Sequence, residues 1–246
     1  MKIACLCPTY NRPALLASSL AQFLAQDHPD KKLFIYDDGG QYDSFDSKQV
    51  RVIVSKRRCN SLPDKYLTLQ EYAEEWQPDA IAMWDDDDIY LPHHLSSIAQ
   101  RIGCEYQWTA PVVVWSTYTG SPVIEDATGR FWASCAIRWE AFKQIGGVPM
   151  TKRGDFDQMF LSKCQRAFGP AVSLASVARD ATFVFRWSDT NAPHAQHYLK
   201  SPDDCTWYDR MAAKEPLPFV GELVPQLDTN AVKTMEQIRE LLSRSI

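Results

Sequence analysis

Four short apolar runs punctuate the first third of the chain, and each stops at a polar tip. They are residues 2–7, Leu33-Phe34-Ile35-Tyr36, Val50-Arg51-Val52-Ile53-Val54 and Ala80-Ile81-Ala82-Met83-Trp84. Continuous runs this short are what strands buried on both faces require. Between them the apolar spacing changes to that of helices. Leu16, Leu20, Phe23 and Leu24 follow an i, i+4, i+7, i+8 pattern, with Asn11 as the expected cap and Pro13 in the first turn. Ser61-Leu62-Pro63 opens a second helix that carries Tyr66, Leu69, Ala73 and Trp76 on one face. Strands and helices alternating at this spacing predict βαβ units and a parallel sheet. Ligands of such sheets bind outside the carboxyl ends of the strands. The tips there are Pro8-Thr9-Tyr10, Asp37-Asp38 and Asp85 to Asp88, which neighbouring strands would bring into one crevice.

The last of these tips is the most informative. Asp85, Asp86, Asp87 and Asp88 are consecutive, and four like charges at a strand end repel one another. Two readings fit: a solvated acidic turn, or a site for a hard divalent cation with oxygen ligands. The first tip has no GxGxxG and the chain has no GxxxxGK[ST], so neither the dinucleotide fingerprint nor a P-loop is present.

Beyond the acidic run, Pro92 to Ile102 reads as a helix with Leu95, Ile98, Ala99 and Ile102 inward, and His93 and His94 read as surface groups or supports of the site. From about residue 106 the texture becomes aromatic and β-branched, at Val112 to Trp115 and at Phe131 to Cys135, which predicts a mixed or antiparallel extension. Short helices follow at Arg138 to Ile145 and Asp155 to Ala167, then a strand at Ala181 to Trp187 and a last helix at about 230–244. Trp84, Trp115, Trp132 and Trp139 read as core, while Trp187 and Trp207 are candidates for stacking on a sugar or base.

Composition narrows the classes. Of 246 residues, 45% are apolar, enough for a sizeable core, and the net charge of -5 gives no general pull toward nucleic acid or anionic membrane. No apolar stretch approaches the roughly 18 residues needed to span a bilayer, and residues 2–7 are too short for a signal peptide. The seven cysteines are scattered with no CxxC pair, so they read as buried thiols in a reducing, cytoplasmic-type compartment.

The motifs themselves resemble a family. Cys-Pro-Thr-Tyr-Asn-Arg at 7–12, Asp-Asp-Gly-Gly at 37–40, Asp-Asp-Asp-Asp-Ile-Tyr-Leu-Pro at 85–92, Arg138 to Gly147 and Gly-Asp-Phe-Asp at 154–157 are similar to the motifs of family 2 glycosyltransferases of the GT-A fold. They occur in that family's order across roughly residues 3–190. The resemblance implies a Rossmann-like, mainly parallel sheet flanked by helices, with a smaller mixed or antiparallel extension on the acceptor side. It implies one glycosyltransferase domain over 1–246, with a nucleotide-sugar half at 1–105, an acceptor half at 106–200 and an extension at 201–246.

The activity implied is transfer of a sugar from a nucleotide-sugar donor, a UDP-sugar first among them, to an acceptor hydroxyl with inversion, using Mn²⁺ or Mg²⁺. By the same resemblance, Pro8, Tyr10 and Asn11 border the nucleotide and Asp38 meets its base, while Lys65 stands where members carry a basic residue. Asp85 and Asp87 would be the two acids of the DxD motif, with Asp87 and Asp85 the candidate metal ligands and Asp85 or Asp86 the ribose partner, the choice among the four acids staying open. His194 or His197 falls where relatives place a metal- or phosphate-binding His. Asp155 corresponds to the catalytic base, although Gly154 stands where the family has Glu, which leaves Asp157 as a second candidate.

The acceptor that the resemblance implies is a glycan or a lipid-linked sugar of surface polysaccharide synthesis, or alternatively a hydroxylated base in DNA, as in some phage enzymes. Two further readings stand beside these. One is a nucleotide-sugar-binding module that has lost its base, suggested by Gly154. The other is a nucleotidyltransferase, which would call for a Gly-rich basic first loop that Pro8 to Arg12 does not provide. The sequence carries no sign of an oligomeric state.

Overall fold

The computed structural model describes residues 1–104, 106–116, 123–127, 131–151, 155–173, 181–186 and 240. Its centre is a parallel sheet of β1 (Ile3–Thr9), β2 (Lys31–Asp37), β4 (Val50–Val54) and β5 (Ala80–Met83), in the spatial order β4-β2-β1-β5. All four apolar runs of the sequence are therefore strands. The short β3 (Phe45–Asp46) closes one edge against β4. On the other side β10 (Ala136–Arg138) runs antiparallel to β5, followed by β7 (Trp108–Thr109).

Alternation along the strands divides the core in two. Ile3, Cys5 and Cys7 of β1 face one way with Leu33, Ile35, Ala80 and Ala82. That face packs on α1 (Pro13–Leu24) through Leu16, Leu20 and Phe23, and on α3 (His94–Cys104) through Leu95, Ile98 and Ile102. Ala4, Leu6, Phe34, Ile81 and Met83 face the other way. They meet α2 (Leu62–Trp76), α4 (Trp139–Gln144) and α5 (Phe156–Phe168). Every residue of β1 is buried, as a central strand covered on both faces must be. Trp84 is fully buried, stacked on Tyr90 at 3.8 Å between ring centroids, with its indole N–H donating to Ser19 Oγ at 2.8 Å.

A second sheet orders β6 (Ile89–Tyr90), β11 (Phe183–Phe185), β8 (Val113–Ser116) and β9 (Val123–Asp126). It mixes parallel and antiparallel pairs, as the change of texture after residue 106 predicts. Because β6 directly follows the acidic run, its pairing with β11 anchors the far end of that run. Among the described residues no helix is long and apolar enough to cross a membrane.

Several local expectations are corrected. Asn11 does not cap α1: Arg12 holds that position with no side-chain cap bond, and Asn11 lies in the left-handed region at φ 52°, which asparagine tolerates. Phe131 to Cys135 is not a strand, since Trp132–Ser134 forms a 3-10 turn entered through Phe131 at φ 54°, and the strand that joins the sheet is the following β10. His94 is not a surface group; it is completely buried. Trp187, His194, His197, Trp207, Gly154 and most of the expected last helix lie outside the described residues.

Candidate active site

Chain order places the crevice. From β1 the chain moves outward through α1 to β2 and β4, then returns through α2 to β5 on the other side of β1. The loops after β1 and β5 therefore diverge at a topological switch point, where open α/β sheets form their binding crevices. The residues at those two strand ends bond directly across it. Thr9 Oγ1 donates to Asp86 Oδ2 at 2.6 Å, and the Arg12 guanidinium donates to Asp86 Oδ1 at 3.0 Å and Asp87 Oδ2 at 2.8 Å.

One end of the crevice is built around Asp38, at the tip of β2. Its buried carboxylate pairs with Lys65 Nζ at 2.6 Å and with Arg58 at 2.9 Å, and it accepts the Cys59 amide at 2.9 Å. Lys65, on the first turns of α2, also donates to the Thr9 carbonyl at 2.8 Å and so ties β2 to β1. Burial works to raise the Asp38 carboxyl, but the Lys65 bond, the Cys59 amide and the two cations outweigh it and hold the group below its ordinary range. Above this cluster the Arg58 guanidinium lies 3.2 Å from the centroid of the Tyr10 ring, which is 43% exposed. Tyr10 thus offers a planar face beside a carboxylate and two cations. Asn11 accepts from Gln41 Nε2 at 2.8 Å on the same rim.

The other end holds the acidic run. Asp85, Asp87 and Asp88 each present a carboxylate oxygen, and these three oxygens lie within 4.8 Å of one another. That set of hard donors fits a divalent cation. Each neighbour of Asp85 is specific: Oδ1 accepts from Tyr66 OH at 3.0 Å, and the backbone N–H donates to Tyr90 OH at 2.7 Å. Asp88 Oδ1 accepts from the Arg186 amide at 2.9 Å, so β11 holds it in place. Burial, then repulsion from Asp87, pushes the Asp85 carboxyl up to about 7 and that of Asp86 to about 6. Asp88 is raised well above its ordinary value by the same two causes. Among the described residues the cations against this run of four carboxylates are Arg12, paired with Asp86 and Asp87, and Arg186 beside Asp88.

Asp155 stands at the start of α5, half-buried, with Oδ1 accepting from Thr151 Oγ1 at 3.0 Å. Phe156, the next residue, packs on Trp132 and Tyr66 at 5.4 and 6.0 Å between ring centroids. Asp157 is engaged with its own helix, accepting the Gln158 amide at 2.8 Å.

The structure therefore brings Thr9, Tyr10, Asn11, Asp38, Lys65 and Asp85 to Asp88 to one crevice, with Pro8 in the buried strand beneath. The sequence motifs include Arg12 only as part of Cys7 to Arg12, and Lys56-Arg57-Arg58 reads from sequence as a solvated loop or a phosphate contact. Arg58 instead stacks on Tyr10 and pairs with Asp38, and its sequence signal is a basic run, Lys56 to Arg58, shortly after the end of β4. Tyr66 and Trp132 were taken as core, and they are, but their polar atoms point into the site.

Residues 5–122 match the family model described as glycosyl transferase family 2. This stretch is a family 2 glycosyltransferase region. Solved structures extend the likeness across the chain. A mannosyltransferase from Pyrobaculum calidifontis, PcManGT, solved with GDP-Man and Mn²⁺, is 13% identical with a TM-score of 0.57, covering 99% of this chain and 74% of its own. Residues 1–349 of TarS from S. aureus, solved with UDP-GlcNAc, are 17% identical with a TM-score of 0.59, covering 99% of this chain and 72% of that one. The same TarS segment with UDP gives 16% identity, a TM-score of 0.60 and coverages of 99% and 71%. At such identities the likeness establishes the fold, which is GT-A. No curated protein matches the chain by sequence. Residues 5–122 thus carry the family 2 glycosyltransferase match, on a chain whose fold is GT-A.

Proposed function

We propose that the protein transfers a sugar from a nucleotide-sugar donor to an acceptor hydroxyl with inversion, using Mn²⁺ or Mg²⁺. The observation that carries this reading is the convergence of Asp85, Asp87 and Asp88 beside the Tyr10–Asp38 cluster at the switch point. In it, the nucleotide base lies against Tyr10 near Asp38 and Lys65, bordered by Pro8 and Asn11. The ribose falls to Asp85 or Asp86, of which Asp86 already has both oxygens engaged by Thr9 and Arg12.

Asp87 and Asp85 hold the cation together with Asp88, and His194 is a further candidate ligand. A divalent ion at these oxygens supplies a Lewis acid for the negative charge that develops on the departing nucleoside diphosphate. Asp155 accepts the proton of the acceptor hydroxyl as its oxygen bonds to the anomeric carbon from the face opposite the leaving group. The carboxylate becomes a carboxylic acid, and the nucleoside diphosphate leaves with the bonding electrons. We assign residues 1–105 to the donor half, 106–200 to the acceptor half and 201–246 to an extension of the same domain. Five described cysteines are free thiols, which supports a reducing, cytoplasmic setting.

The donors bound by the two neighbours, GDP-Man and UDP-GlcNAc, name the first substrates to try, with UDP-sugars leading. The test is turnover of labelled UDP- and GDP-sugars with Mn²⁺ against glycan and lipid-linked acceptors and hydroxymethylated DNA. Asp87→Ala is expected to lose metal-dependent turnover by more than about 100-fold, beyond the usual effect of a residue that merely supports a ligand. Asp155→Asn is expected to bind donor normally but transfer roughly 10²- to 10⁴-fold more slowly. Unimpaired transfer by Asp155→Asn would remove it as the base. Donor binding without transfer to any acceptor class would favour a binding module.

A further inference from the structure

Asp85 is held from two sides by tyrosines, and both tyrosines lead to the same turn. Trp132 Nε1 donates to Tyr66 OH at 3.2 Å, and Tyr66 OH donates to Asp85 Oδ1 at 3.0 Å. An indole N–H can only donate, so the Tyr66 oxygen must accept from it and its proton is directed to Asp85. On the other side the Asp85 amide donates to Tyr90 OH at 2.7 Å, and Tyr90 OH donates to the Ala133 carbonyl at 3.1 Å. The direction of every bond in both bridges is fixed. Their far ends, Trp132 and Ala133, are adjacent residues of the 3-10 turn that Phe131 enters in the left-handed region.

Packing continues the connection. The Trp132 ring meets Phe160 at 4.6 Å and Phe156 at 5.4 Å, edge to face. Phe156 follows Asp155 at the start of α5. Tyr66 and Trp132 are both buried, and a hydrophobic core alone would be served equally by phenylalanines. Their polar atoms form a chain of hydrogen bonds that ends on the Asp85 carboxylate.

We propose that Tyr66 and Trp132 are positioning residues that orient Asp85 for a divalent cation and report its occupancy to the 131–135 turn and the start of α5. The proposal rests on the reading of Asp85, Asp87 and Asp88 as the cation site. Tyr66 holds Oδ1 of a carboxylate that has one oxygen within 4.8 Å of those of Asp87 and Asp88. A cation drawing electron density from Asp85 alters the bond that Tyr66 makes to it, and through Tyr66 the bond made by Trp132. Groups that hold a ligand in this way are commonly worth 10- to 100-fold in metal affinity.

The test uses the full chain and Mg²⁺ alone as the probe. Calorimetry measures Mg²⁺ affinity for the wild type, Tyr66→Phe, Trp132→Phe and Asp87→Ala, and thermal unfolding of each variant without metal shows that it is folded. Fluorine NMR of wild-type protein labelled with 5-fluorotryptophan follows Trp132, whose resonance is assigned by its loss in Trp132→Phe. Tyr66→Phe is expected to lower Mg²⁺ affinity about 10- to 100-fold, and Trp132→Phe to lower it less. The Trp132 resonance is expected to shift with Mg²⁺ along the calorimetric isotherm. Wild-type affinity in Tyr66→Phe, or a Trp132 resonance that ignores bound Mg²⁺, would overturn the proposal and reduce both residues to packing. Mg²⁺ that fails to bind the wild type, or binds Asp87→Ala equally well, would overturn the cation site itself and the proposal with it.

Discussion

The two ends of the crevice have opposite electrostatics. At the tip of β2 the Asp38 carboxylate faces two cations and a backbone amide, and its carboxyl sits below the ordinary range. At the tip of β5 four carboxylates crowd together with Arg12 bridging two of them, and Asp85 is raised to about 7. The first end is complete as built and suits a neutral, planar group with hydrogen-bonding edges. The second gains from added positive charge, because each buried carboxylate is penalised by burial and by its neighbours. A ligand with a flat base at one end and a diphosphate with its cation at the other matches this gradient. On the proposed reading, binding selectivity would lie at the Asp38 end, and dependence on added ions at the Asp85 end.

The comparison breaks most visibly at Asp38. Asp38→Asn leaves Lys65 a buried cation without its carboxylate, and removing one partner of a buried pair costs about 3–5 kcal/mol. Urea unfolding is expected to show that loss; a loss below about 1 kcal/mol would mean the Asp38 cluster is not the preformed end described here.

Added metal probes the opposite end. Mg²⁺ at 100 times its dissociation constant is expected to stabilise the wild type by about 2.7 kcal/mol. For a chain of this size that is a rise in Tm of roughly 5–10 °C. Arg58→Ala, chosen so that the buried Asp38–Lys65 pair survives, should keep this rise and Asp87→Ala should lose it. The reverse pattern in differential scanning fluorimetry would exchange the roles of the two ends.

Acidity sharpens the contrast through a third group. His94, completely buried behind the acidic run against Tyr90, is lowered to about 3, by burial first and then by His93. The unfolded chain takes up this proton near pH 6.5 and the folded protein does not, so the contribution is intact above pH 6.5 and is lost as pH falls toward 3. At pH 5 the loss is about 2 kcal/mol. It should disappear in His94→Gln, as measured by chemical unfolding at pH 7 and pH 5. Asp38, held below its ordinary range, keeps its charge between pH 7 and pH 5.

The smallest effect is expected at the rim. Arg58→Ala removes a half-exposed guanidinium from the Tyr10 face, where such contacts are worth about 0.5–1 kcal/mol. A change of that size in unfolding free energy, with an intact core, would confirm that the stacking is a surface contact. A loss of several kcal/mol would make Arg58 part of the buried cluster.

Most of the framework was legible because it depends on local pattern. The four apolar runs became the four parallel strands, Ser61 accepted the Asp64 amide as the cap of α2, and Leu95, Ile98 and Ile102 turned inward as their spacing required. The acidic run and Asp38 stood out because carboxylates at strand tips are unusual whatever surrounds them. Short-range signals failed where a long-range partner outweighed them. Asn11 gave up the cap for a bond to Gln41, thirty residues away, and Phe131 to Cys135, with strand-like composition, coiled into a turn whose Trp132 reaches Tyr66. Ala136–Arg138 had too few residues to show a period, and became a strand because β5 offered it an open edge.

The sequence by itself determined which residues form the sheet, where its tips fall and that one tip carries more charge than it can leave bare. Those properties follow from periodicity and like-charge repulsion, which act over a few residues. The tertiary structure alone decided that Arg12 and Thr9 bridge to Asp86, that Arg58 covers Tyr10, and that Tyr66 and Trp132 aim their polar atoms at Asp85. These pairs join residues 19 to 77 positions apart, and hydrogen bonds and ion pairs are decided by distances of a few ångströms that no local pattern encodes.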